Sequence, residues 1–216
     1  SGSSDAKIRE WSLSSGLCAR RFDGHSAEVT SLILSPSDAS LLYSGSADGT
    51  VREWSLSSGE LVRRLGGHSS TVSSLAFVSC ESRLYSGSQD ATIREWSLSS
   101  GDCVRRLEGH SGTVTSLVVQ SRESRLYSGS QDATIREWCL RTGDCVRRLE
   151  GHSGTVTALV LSSNGNRLYS GSHDATILEW CLRTGDCVRR LEGHSGTVTA
   201  LVLSSNGNRL YSGSHD

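Results

Sequence analysis

A Gly-His pair recurs five times at an almost constant interval. Gly24-His25, Gly67-His68, Gly109-His110, Gly151-His152 and Gly193-His194 are separated by 43, 42, 42 and 42 residues. Trp11, Trp54, Trp96, Trp138 and Trp180 keep the same spacing. A Ser-Gly-Ser-x-Asp element ends at Asp5, Asp48, Asp90, Asp132, Asp174 and Asp216. Three markers on one period make the chain an array of like units, each burying its apolar face against its neighbours.

Within one period the residues read as four strands. Thr113–Val119 alternates β-branched and polar residues, and Ser124–Ser130 follows it. Thr134–Leu140 comes after the turn at Gln131-Asp132-Ala133, and Asp144–Leu149 after the turn at Arg141-Thr142-Gly143. Short alternating runs divided by Gly, Asn and Asp are hairpin signals. No stretch keeps a helical period. A four-stranded unit repeating about every 40 residues is a propeller blade, so the expected fold is all-β.

Gly-His, then Ser-Gly-Ser-x-Asp, then Trp, on this spacing, resembles the WD-repeat (WD40) propeller family over the whole chain. One departure is uniform: where the family carries Asp after each Trp, this chain has Ser12, Ser55, Ser97, Cys139 and Cys181. The chain opens inside a blade and ends inside one. The expected architecture is a single propeller over residues 1–216, with five four-stranded antiparallel blades. The N-terminal strands would pair with the C-terminal half-blade, so that residues 1–22 and 195–216 form one split blade and close the ring. A closed monomer is expected; two chains sharing a larger ring is the alternative. Residues 1–5 and 212–216 duplicate one element, so one copy should be surplus and frayed.

The resemblance implies a hydrogen-bonded chain in every blade, from Trp to Ser to His to Asp. The sets are His25, Ser44, Asp48 and Trp54; His68, Ser86, Asp90 and Trp96; His110, Ser128, Asp132 and Trp138; His152, Ser170, Asp174 and Trp180. In the split blade, His194, Ser212 and Asp216, or its duplicate Asp5, would meet Trp11. Indole, hydroxyl and imidazole are costly to bury unpaired, and this network satisfies them together. A Ser-His-Asp set also evokes a hydrolase triad. A nucleophile must lie open to substrate beside an oxyanion hole, whereas these serines would lie under tryptophan. Five copies argue for structure, and no catalytic residue, cofactor or metal site is expected. His173 and His215 alone would be too few ligands for a metal.

Every third strand carries Glu before its Trp (Glu10, Glu53, Glu95, Glu137, Glu179), and every fourth strand carries two arginines. If Leu98 faces Cys103, Glu95 opposes Arg106 and Trp96 opposes Arg105, giving partly buried ion pairs. The same register sets Cys139 opposite Val146 and Cys145 opposite Leu140, which disfavours a hairpin disulfide. There are seven cysteines, at positions 18, 80, 103, 139, 145, 181 and 187. Four occupy one repeat position, where the remaining repeat has Leu61, which reads as an apolar packing site. Seven reduced, structural thiols favour a cytoplasmic setting.

The formal net charge of −1 attracts neither nucleic acid nor an anionic membrane. No apolar run reaches the roughly 18 residues of a membrane span. With no methionine, the chain is expected to be processed or cut from a longer polypeptide. The resemblance implies that a protein or peptide partner would bind the top face. Glu28, Thr71, Thr113, Thr155 and Thr197 would line it, with Gln89, Gln131, His173 and His215. These residues lack the Trp, Tyr and Arg anchors of binding hot spots. Residues 137–174 are identical to 179–216, which suggests recent amplification or design. The expected function is a protein–protein interaction scaffold. The alternative is a chiefly structural or self-assembling repeat module.

Overall fold

A computed structural model describes residues 1–36, 38–78 and 82–216. The described residues form twenty strands and one 3₁₀ turn at Ser121–Glu123. Every strand pairing with a stated register is antiparallel. Four sheets have four strands each. They are β3 (Val29–Leu34), β4 (Leu41–Ser46), β5 (Thr50–Ser55) and β6 (Leu61–Gly66); β7 (Val72–Val78), β8 (Arg83–Ser88), β9 (Ile93–Ser97) and β10 (Cys103–Leu107); β11 (Val114–Gln120), β12 (Arg125–Ser130), β13 (Ile135–Cys139) and β14 (Cys145–Leu149); and β15 (Val156–Leu161), β16 (Arg167–Ser172), β17 (Ile177–Cys181) and β18 (Cys187–Leu191). In each, strands neighbour one another in chain order, as in a propeller blade.

The chain divides into two compact units, Ser1–Arg106 and Leu107–Asp216. In each unit the core lies between neighbouring blades. In the first, Tyr43, Val51 and Leu65 meet Val72, Leu84 and Trp96. In the second, Tyr127, Ile135 and Leu149 meet Val156, Leu168 and Trp180. The Ser-Gly-Ser segment allows this approach: a Cβ on Gly129 would stand 2.7 Å from Val156 Cγ1, and one on Gly171 2.7 Å from Val198 Cγ1. Only a residue without a side chain lets the next blade come so close.

The chain ends differ from the complete blades. β1 (Ile8–Trp11) with β2 (Cys18–Phe22) is a two-stranded sheet, and so is β19 (Val198–Leu203) with β20 (Leu210–Ser214). The duplicated N-terminal element lies along β1. Gly2 bridges Ile8, the Arg9 amide donates to Ser1 O at 2.9 Å, and the Val29 amide donates to Ser3 O at 3.1 Å. Residues 1–3 thus occupy the edge of β1 that a second strand holds in a complete blade. This copy is engaged, not surplus.

The expected register between third and fourth strands is also corrected. Glu137 faces Arg147, Arg136 faces Arg148, and Trp138 faces Cys145, with a bulge between Glu137 and Trp138. At the turn end Trp138, and not Leu140, faces Cys145, a shift of two residues; the extra residue of the bulge takes back one of them, so the glutamate faces the first arginine and not the second.

Candidate functional site

Each complete blade holds one polar network, built where the loop before its first strand, its second strand, the second-to-third turn and its third strand converge. In β11–β14, the Trp138 indole donates to Ser128 Oγ at 2.8 Å, Ser128 Oγ lies 2.7 Å from His110 Nε2, and His110 Nδ1 lies 2.8 Å from Asp132 Oδ2. Trp54–Ser44–His25–Asp48, Trp96–Ser86–His68–Asp90 and Trp180–Ser170–His152–Asp174 have the same geometry. The indole N–H can only donate, so the hydroxyl proton is left for Nε2, and the Nδ1 proton goes to the carboxylate. The histidine therefore sits neutral between a donor and an acceptor.

Burial sets the proton positions. It pulls His110 below its ordinary value more strongly than the hydrogen bond His110 donates to Asp132 raises it. His25, His68 and His152 are lowered in the same way. Burial also pushes the Asp132 carboxyl up, but Thr134 and His110 outweigh it and hold the carboxyl at about 2. The four serines have 0% exposure. A hydroxyl sealed beneath an indole and bonded on both sides orders strands; it has no room for a substrate carbonyl.

The threonine two residues after each turn aspartate was missed by the sequence reading. Thr134 donates its amide to Asp132 Oδ1 at 3.0 Å and its hydroxyl at 2.6 Å, and Thr50, Thr92 and Thr176 do the same. The signal was present, since Asp-x-Thr recurs in each of these turns and a side chain that bonds two residues onward is a known turn device.

The fifth set is divided. His194 Nε2 lies 2.8 Å from Ser212 Oγ and Nδ1 lies 3.0 Å from Asp216, all three at partly or fully exposed positions. Trp11 is 49% exposed and its indole donates to Ser1 Oγ at 3.1 Å. Asp5, the duplicate of Asp216, pairs with Arg9 at 2.6 Å.

A second cluster surrounds the glutamate of the third strand. Glu137 lies buried between Arg125 at 3.0 Å and Arg147 at 3.5 Å. Glu95 holds Arg83 and Arg105, and Glu179 holds Arg167 and Arg189. Arg147 also donates to Leu182 O of the following blade at 3.3 Å, and Arg63 to Leu98 O at 2.8 Å. These arginines thus tie a buried charge to the next hairpin.

The expected top-face residues meet in pairs. The Gln89 amide donates to Thr71 O, Gln131 to Thr113 O, His173 to Thr155 O and His215 to Thr197 O, at 2.8–3.1 Å, and Ala47 donates to Glu28 O at 2.8 Å. Glu28, Gln89, Gln131, His173 and His215 are exposed, and the four threonines are half-buried. This end of each blade is polar and open.

The thiols correct an expectation. Cys18, Cys103, Cys145 and Cys187 are free and exposed, and Leu61 at the equivalent position is 42% exposed. The fourth strand is the outer edge of its sheet, so this position lies at the rim and not in the core. Cys139 and Cys181 are free and half-buried. The Thr142 amide and hydroxyl draw the Cys139 thiol down to about 7, and the Thr184 hydroxyl and amide do the same for Cys181. Cys80 lies outside the described residues. Among the described residues no group of three or more His, Cys, Asp or Glu side chains could hold a metal ion. No helix of the described residues is long and apolar enough to cross a membrane.

Comparison with known proteins adds one match. The family model described as WD domain, G-beta repeat, matches residues 16–55, 59–97, 101–139, 143–181 and 185–216. No curated protein is significantly similar to the chain.

Proposed function

The chain belongs to the WD40 family, whose repeats are generally protein-interaction scaffolds, and we propose that it is a protein–protein interaction scaffold whose partner binds the polar turn end of its blades. One observation carries this reading. The chemically versatile side chains of each blade are sealed beneath tryptophan, while Thr71 with Gln89, Thr113 with Gln131 and Thr155 with His173 stand at the open end on rigid backbone pairs. Rigid, partly exposed polar groups give specificity by complementarity. The His-Ser-Asp sets have no catalytic part in this proposal. Free thiols at the blade rims suit a reducing, cytoplasmic compartment.

The test is a pull-down with the whole chain and with Gln89→Lys/Gln131→Lys. Loss of the same specific partner from the charged variant is the expected result. A partner retained equally by both would overturn the top-face reading.

A self-assembling role is favoured by a different observation: β1–β2 and β19–β20 are half-blades, and two-stranded sheets are marginal in water. In this second reading β1–β2, with residues 1–3 displaced from the edge of β1, supply the missing outer strands of β19–β20, within one chain or from a second copy. Solution mass distinguishes a monomer from a ring of two chains. Removing residues 1–22 should abolish the cooperative transition; an unaltered transition would leave an open array.

A further inference from the structure

Two arginines face each other across the outer hairpin of several blades. Arg136 faces Arg148 on β13–β14, and Arg52 faces Arg64 on β5–β6. Like charges directly opposite each other on an antiparallel pair repel. The β13–β14 hairpin supplies its own acceptors: Arg136 donates to Cys145 Sγ at 3.5 Å, and Arg148 pairs with Glu150 at 2.9 Å. On β9–β10, Arg94 donates to Cys103 Sγ at 3.5 Å. On β17–β18, Leu178 replaces the inner arginine, and Arg190 pairs with Glu192 at 2.8 Å.

The β5–β6 hairpin keeps both arginines and lacks both acceptors. Leu61 stands where the others have Cys, and Gly66 where they have Glu or, at residue 23, Asp. Among the described residues Arg64, which is exposed, has no hydrogen bond or ion pair. The Arg52 side chain is 11% exposed, and its ion-pair partner is Asp48 at 3.8 Å. That carboxylate is already bonded to His25, Ser26 and Thr50. Arg52 Nε is buried without a hydrogen-bond partner, as are Arg94 Nε and Arg136 Nε. The space is open too: a Cβ on Gly66 would meet nothing within 4 Å.

We propose that Arg52 and Arg64 form a binding site for a phosphate monoester, such as a phosphorylated serine of a protein. Arg52 is the fixed, nearly buried half, and Arg64 closes from solvent. Two guanidinium forks match the oxygens of a phosphate, and its charge near −2 neutralises both, where a carboxylate neutralises one. Burial lowers the pKa of Arg52; Asp48 raises it and Arg64 lowers it further, so an anion seated there relieves the repulsion. The site lies on the outer hairpin, and it stands whether or not the top face binds a partner.

The test is calorimetric titration of the whole chain, at low salt, with inorganic phosphate, a phosphoserine peptide and the same peptide carrying glutamate. Both phosphates should bind, and the glutamate peptide should bind at least about tenfold more weakly, the scale of one charge-assisted hydrogen bond. Arg64→Gln should weaken phosphate binding by a similar factor. Gly66→Glu installs the carboxylate that other blades carry and should also block binding, while its unfolding midpoint is no lower than that of the unaltered chain. Arg190→Gln should bind phosphate as the unaltered chain does. The proposal fails if phosphate does not bind. It also fails if Arg64→Gln or Gly66→Glu binds it unchanged, if Arg190→Gln weakens it equally, or if the glutamate peptide binds as well as the phosphoserine peptide.

Discussion

Residues 137–174 and 179–216 have the same sequence but different surroundings. His152, Ser170 and Asp174 belong to the complete blade β15–β18; His194, Ser212 and Asp216 belong to the half-blade β19–β20. Their hydrogen bonds are nearly equal, with imidazole to hydroxyl at 2.7 and 2.8 Å and imidazole to carboxylate at 2.9 and 3.0 Å. Ser170 is fully buried, whereas Ser212 is exposed, and Leu168 is buried where its twin Leu210 is half-exposed. The geometry of the network is therefore local to two strands and a turn. Its energetic weight comes from the indole and the outer strands that exclude water.

The sharpest break of this comparison is a pair of serine substitutions. Ser170→Ala leaves the Trp180 indole and His152 Nε2 buried without partners, and should cost about 2–3 kcal/mol of unfolding free energy. Ser212→Ala changes groups that water reaches and should stay within about 0.5 kcal/mol. Urea midpoints measure both. Equal losses would mean that burial does not set the weight of the network.

Acid should test the buried network next. His152 is lowered in the folded chain, so the unfolded chain takes up the proton first as pH falls. Stability is complete above the ordinary value of about 6.5 and declines as pH drops below it, by at most about 1.4 kcal/mol per pH unit for each such histidine. His152→Gln should flatten this slope. Burial raises the Asp174 carboxyl, but Thr176, Ser153 and His152 hold it at about 2. Its contribution is thus present above about 3.8, fades only toward pH 2, and is met after that of the histidine.

A smaller contrast lies in the ion pairs. Arg147 beside Glu137 is 30% exposed, and Arg189 beside Glu179 is 68% exposed. A double-mutant cycle of Glu137→Gln with Arg147→Gln should give a coupling of about 0.5–1 kcal/mol, and the Glu179 cycle less. Coupling of Glu137 to Arg148 in place of Arg147 would contradict the bulged register. The least stability effect belongs to Cys139 and Cys181: their alkylation should accelerate through about pH 7 without moving the unfolding midpoint.

The 42-residue period, the four-strand unit and the polar sets were legible because each repeats, and because alternation and turn residues act over a few positions. The strand read as Thr134–Leu140 runs Ile135–Cys139. Thr134 was legible in principle, as the third residue of Asp-Ala-Thr. The partner of Glu137 was not, because the span of the turn and a one-residue bulge together set the pairing, and neither alters composition. The exposed rim of Cys145 was hidden for a similar reason, since Leu61 at its equivalent position mimics a core residue.

Sequence alone determined which groups can bond, at what spacing, and hence that each unit is a blade carrying one Trp–Ser–His–Asp chain. Tertiary structure alone decided which copies are buried. Identical stretches differ in exposure because apolar burial depends on what the neighbouring strands cover, and residues 1–3 engage the edge of β1 because a segment tethered close by closes its loop at the least entropic cost.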